Sequence, residues 1–116
     1  MRRVLLSAAA LVLGTGAAFA HAHLKTATPA VGSTGPAPAE VVLMFSEGLE
    51  PHFSTIAVLK DGKHLETGPA HLVGGDAKTF AVPVSALPAG IYTVEWHATS
   101  VDTHKTEGHF TFTVAP

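Results

Sequence analysis

The chain has 116 residues, no cysteine, eight histidines and a formal charge of −2. A length of this order holds one domain. Without cysteine there is no disulfide framework, thiolate metal site, iron–sulfur cluster or cysteine nucleophile, so histidine is the conspicuous source of chemistry.

The first element in chain order is a leader. Arg2 and Arg3, the only arginines, precede an apolar run from Val4 to Leu13 that is too short for a bilayer, and small residues then end in Ala18-Phe19-Ala20, an A-x-A cleavage signal. Residues 1–20 are expected to be a secretory signal peptide cut after Ala20, read by the general export route in preference to the twin-arginine one. A cut after Ala22 is the alternative, because Ala20-His21-Ala22 also fits the signal. The remaining domain, residues 21–116, has five lysines against nine carboxylates and no other membrane-length apolar run. It is expected to be a soluble periplasmic protein without affinity for nucleic acid.

Beyond the leader, short apolar and β-branched runs alternate with Gly, Pro and Ser, and no segment keeps a helical period over ten residues. Seven strands are expected, at residues 23–27, 40–45, 54–60, 71–73, 79–84, 90–99 and 108–114. Turns are expected at Gly32–Pro36, Asp61-Gly62, Gly74-Gly75-Asp76 and Pro88–Gly90. This is an all-β pattern, a seven-stranded Greek-key sandwich or barrel. In the last two strands Tyr92, Val94, Trp96 and Ala98 alternate with Thr93, Glu95, His97 and Thr99, and Phe110, Phe112 and Val114 alternate with His109, Thr111 and Thr113. One face of each is core and the other wet, with Trp96 as a core anchor. The loop joining them is expected at Val101–Thr106, exposed at one end of the sandwich.

Cleavage after Ala20 makes His21 the first residue, offering an α-amine and an imidazole to one metal ion. The Asp102-Thr103-His104 loop adds a carboxylate and a second imidazole. Three nitrogens and one oxygen in a tetragonal arrangement favour Cu(II), one ion per chain. Plainer roles fit the same residues: His21 as a frayed terminus, Asp102 and His104 as parts of an Asx turn.

The segments His21-Ala-His-Leu24, Thr28-Pro-Ala30, Phe45-Ser-Glu-Gly-Leu-Glu-Pro51, Gly90-Ile-Tyr-Thr-Val-Glu-Trp-His97 and Ser100-Val-Asp-Thr-His-Lys-Thr-Glu-Gly-His-Phe110 resemble the CopC family of periplasmic copper-resistance proteins, its short YobA-like branch in particular. The resemblance spans the mature chain. It implies a cupredoxin-like or immunoglobulin-like β fold, Cu(II) ligation by the amine and imidazole of His21, by Asp102 and by His104, and a CopD-type inner-membrane partner. The methionine-rich loop by which some of these proteins hold Cu(I) has no counterpart: after processing only Met44 remains, expected in the core.

Other histidines compete or assist. His23 completes a free amine, two amides and a third-position histidine, the spacing of a planar amino-terminal Cu(II) chelate, although the strand it opens should commit its amide to the sheet. Glu95, His97 and His109 share the wet face, as outward imidazoles or as a weaker second site, or as supports to a copper ligand. His52, His64 and His71 are expected in solvent. The function these features imply is a non-catalytic Cu(II)-binding protein of copper homeostasis or resistance, which sequesters copper or delivers it to a membrane partner. The alternatives are a small copper monooxygenase using a histidine brace, or a metal-independent structural sandwich.

Overall fold

The computed structural model describes residues 21–116; the leader expected at residues 1–20 lies outside the described residues. Nine strands form two sheets: β1 (Leu24–Thr28), β2 (Thr34–Gly35), β3 (Glu40–Phe45), β4 (Thr55–Lys60), β5 (Lys63–His64), β6 (His71–Val73), β7 (Asp76–Pro83), β8 (Gly90–Thr99) and β9 (Lys105–Val114). One sheet has the order β1-β3-β7-β6 and the other β2-β9-β8-β4-β5. All pairings are antiparallel except the short parallel contact of β2 with β9.

The expected all-β sandwich is therefore present, with two strands more than the seven expected. Both additions are two residues long, below the length at which alternation registers. β5 follows from the Asp61-Gly62 turn: with φ of 52° and 77° at its two central residues, this is the twist-matched two-residue connection that folds a chain back on itself. Gly74 and Gly75, at 58° and 78°, do the same between β6 and β7.

The core lies between the sheets. Val41, Leu43 and Phe45 of β3 and Phe80 and Val82 of β7 face Tyr92, Val94, Trp96, Phe110 and Phe112 of β8 and β9. Phe45 meets Trp96 edge-on at 5.1 Å between ring centroids, and Tyr92 stacks on Phe112 at 5.4 Å. The buried Tyr92 hydroxyl donates to the carbonyl of Pro88, four residues upstream, in the manner of the tyrosine corner of β-sandwiches.

Three further expectations fail. Met44 is 42% exposed, because strand alternation turns Val41, Leu43 and Phe45 inward and leaves Met44 on the outer face beside Thr26 and Thr79. β9 starts at Lys105, not 108, so the β8–β9 connection shrinks from the expected 101–106 to five residues, Ser100–His104. Thr99, expected on the wet face, is buried under the 3-10 turn Pro51–Phe53. Its hydroxyl donates to the Phe53 carbonyl at 2.9 Å, and its N–H donates to Ser54 Oγ at 3.0 Å.

Candidate metal centre

The β8–β9 loop is held from within and from beside. Ser100 N–H donates to the His104 carbonyl at 2.9 Å, and Thr103 N–H donates to the Ser100 carbonyl at 2.8 Å. Closing so tight a loop places Thr103 at φ 73°, a conformation costly for a β-branched residue. From beside, the segment after β3 buttresses the loop. Leu49 bridges to Ser100, Val101 N–H donates to the Gly48 carbonyl at 3.0 Å, and Glu50 N–H donates to the Thr99 carbonyl at 2.8 Å. The stretch Ser46–Pro51 thus supports the loop that presents Asp102 and His104.

Within the loop Asp102 is fully engaged. One carboxylate oxygen accepts from the Ser100 hydroxyl and, at 3.5 Å, from the His104 N–H; the other lies 3.2 Å from His104 Nδ1. The Ser100 hydroxyl is the main reason that the Asp102 carboxyl is held below the usual carboxylate range; partial desolvation opposes it, and His104 adds to it. A proton on Nδ1, the nitrogen that faces this carboxylate, would leave Nε2 as the lone-pair nitrogen of His104, the arrangement by which carboxylates orient metal-binding imidazoles.

The amino-terminal segment reaches the same end of the sandwich. Ala22 is completely buried and its carbonyl accepts from Thr106 Oγ1 at 2.7 Å. Ser46 Oγ accepts from His23 N–H at 2.9 Å and donates to the His21 carbonyl at 3.2 Å. The Ser46 N–H donates to the His23 carbonyl at 2.8 Å. These contacts bring the His21 ring to 4.9 Å from that of His104 and leave His23 6.2 Å from His21, on the exposed side.

With metal–nitrogen bonds of about 2 Å, two imidazoles on one ion have ring centroids about 4.5 Å apart when cis and about 6.3 Å apart when trans. The separation of His21 and His104 lies between these limits, a spacing that two imidazoles on one ion can have. Among the described residues, no three His, Asp or Glu side chains already converge as a ligating cluster. Asp102 is turned toward His104, and the backbone nitrogen of His21 is an amide in the unprocessed chain. The expected cleavage after Ala20 would convert that amide to an amine.

The structure places Glu95, His97 and His109 elsewhere, on the outer face of β8 and β9. His97 stands opposite Glu107 and His109 opposite Glu95, so the two imidazoles are diagonal neighbours. His97 Nδ1 lies 3.4 Å from Glu107. Reading the sequence alone missed Glu107 in this group, and missed Ser46, Ser100 and Thr106 as supports of the metal end. A serine two residues before an aspartate in a loop was the one available signal, for Ser100. His52, His64 and His71 are exposed, as expected.

Comparison with known proteins bears on this end of the molecule. The CopC domain profile matches residues 24–115. The chain belongs to the CopC domain family. Its relatives in that family include protein YobA of Escherichia coli K12, 42% identical over 105 residues that cover 88% of this chain and 85% of YobA. Copper resistance protein C of Pseudomonas syringae pv. tomato is 42% identical over 113 residues, covering 91% of this chain and 90% of its own. Among solved structures, CopC from Methylosinus trichosporium OB3b superposes with a TM-score of 0.78 at 31% identity, covering 83% of this chain and 95% of that one. The CopC domain match thus takes in all nine strands and the loop that carries Asp102 and His104, and begins three residues after His21. No helix among the described residues of this CopC chain is long and apolar enough to cross a membrane.

Proposed function

We propose that the chain, exported to the periplasm and processed to begin at His21, binds one Cu(II) ion as cargo and is non-catalytic. The observation that carries this reading is the 4.9 Å approach of His21 to His104 at the end of the sandwich where the amino terminus is pinned. Membership of a family whose relatives are named copper resistance proteins agrees with it.

The His21 amine and imidazole and the His104 imidazole supply three nitrogens, and Asp102 supplies an oxygen once it exchanges its contact with His104 for the metal. Such a mixed N/O set suits Cu(II). His104 and Asp102 are each 42% exposed, so a recipient's ligand has room to attack before these ligands leave. Exchange of this kind suits sequestration followed by delivery to a CopD-type inner-membrane partner. The monooxygenase alternative asks for an aromatic substrate platform, and Phe53 is the one exposed Phe, Tyr or Trp among the described residues.

The test is a Cu(II) titration with electron paramagnetic resonance on exported protein whose amino terminus is verified by mass. One tight equivalent with nitrogen-rich tetragonal parameters, lost in the Asp102→Ala/His104→Ala double variant, is expected. A site indifferent to those substitutions would overturn the reading.

A further inference from the structure

Two copper sites compete for the same amino terminus. The first joins His21 to His104 across the sandwich. The second is local: the amine of His21, the deprotonated amides of Ala22 and His23 and the His23 imidazole wrap one ion in a plane, with the two amide protons lost to solvent. The sequence His21-Ala22-His23 satisfies the spacing of the second as fully as that of the first.

The backbone contacts separate them. The His23 N–H, which the local chelate must deprotonate and turn onto the metal, already donates to Ser46 Oγ at 2.9 Å. The same hydroxyl passes its own hydrogen to the His21 carbonyl at 3.2 Å, so one side chain ties both ends of the tripeptide. The Ser46 backbone N–H holds the His23 carbonyl at 2.8 Å. Between them, Ala22 is sealed in the core with its carbonyl on Thr106. The local chelate requires the His23 N–H to leave Ser46 and turn onto the metal, against a tripeptide held by the other three contacts, whereas ligation through the His21 amine and imidazole makes no demand on the His23 amide.

We infer that the Ser46 hydroxyl is a positioning residue that selects the His21–His104 coordination mode by withholding the His23 amide from the metal. The inference rests on the ligand role proposed for His21 and His104. It assigns Ser46 no contact with the ion.

The test uses protein processed to His21, as wild type, Ser46→Ala, Ser46→Thr and each with His104→Ala. In the metal-free protein, hydrogen exchange at the His23 amide is expected to quicken at least tenfold in Ser46→Ala and to be restored in Ser46→Thr, which keeps the hydroxyl. With Cu(II), Ser46→Ala is expected to gain the four-nitrogen planar spectrum of the local chelate, which persists when His104 is also removed. Wild type and Ser46→Thr should instead lose their spectrum with His104. Wild-type copper spectra that need His104, together with Ser46→Ala spectra unchanged from them, would overturn the selection alone. Wild-type spectra indifferent to His104→Ala would overturn the coordination reading and the selection with it.

Discussion

The indole of Trp96 lies directly over Gly108, its cross-strand partner on β9: a Cβ at position 108 would stand 2.5 Å from Cζ2 of the ring. The ring is also in edge contact with Phe45, so it has no room to retreat. Gly108→Ala is therefore expected to lower stability by about 1–3 kcal/mol, the usual cost of forcing an extra carbon into a packed core. Urea unfolding followed by Trp96 fluorescence measures it. An unchanged midpoint would show that the ring can shift at no cost.

The amine proposed as a ligand exists only in a chain that begins at His21. A chain that retains Ala20 keeps every side chain of the site but replaces the amine with an amide, and is expected to bind Cu(II) on the order of a hundredfold more weakly or worse. Losing even an outer support of a metal ligand typically costs about 10–100-fold. Competition titration against a chelator of known affinity gives the ratio, and equal affinities would remove the amine from the site.

The outward group on β8 and β9 is predicted to play no part in tight binding. Replacing both His97 and His109 by alanine leaves the tight equivalent and its spectrum unchanged, because both side chains point from the outer face while His21 and His104 sit at the end of the sandwich. Loss of the tight site in that variant would contradict the placement.

Acid stability should report on Asp76. Its carboxyl is held below the ordinary aspartate value mainly by the Lys78 N–H at 2.9 Å, then by the Thr79 hydroxyl at 2.8 Å. A depressed folded-state pKa stabilises the fold above the unfolded value, about 4, and that contribution disappears as the pH falls through the folded value. Metal-free Asp76→Asn is accordingly expected to be less stable than wild type at neutral pH, with the gap closing below about pH 4. Thermal melts across pH 2–7 (roughly the span over which a carboxylate titrates) would refute this if the two curves stayed parallel.

Strand order along the chain and the core were legible because alternation in β8 and β9 is regular and the turns carry Asp-Gly and Gly-Gly. Met44 was misread because an apolar run does not say which of its members faces out; the register with Thr26 and Thr79 decides that. The meeting of the His21 segment with the Asp102–His104 loop was legible from chemistry and resemblance, whereas the contacts that bring it about were not. Ser46 and Thr106 act on residues 21–23 from 23 or more positions away, and such contacts exist only once the two sheets are stacked.

The contact between Thr106 and Ala22 spans 84 positions, so the metal end joins the two extremities of the folded domain. In a chain with no cysteine, an ion shared by His21 and His104 would act as a removable cross-link across nearly the whole polypeptide. Loading would then raise the melting temperature with the logarithm of the excess of copper over its dissociation constant. Unloading would loosen β1, the edge strand of its sheet that follows His23, first. A recipient that took such an ion would also take away the staple, and would leave the emptied protein with its leading strand the easiest to peel.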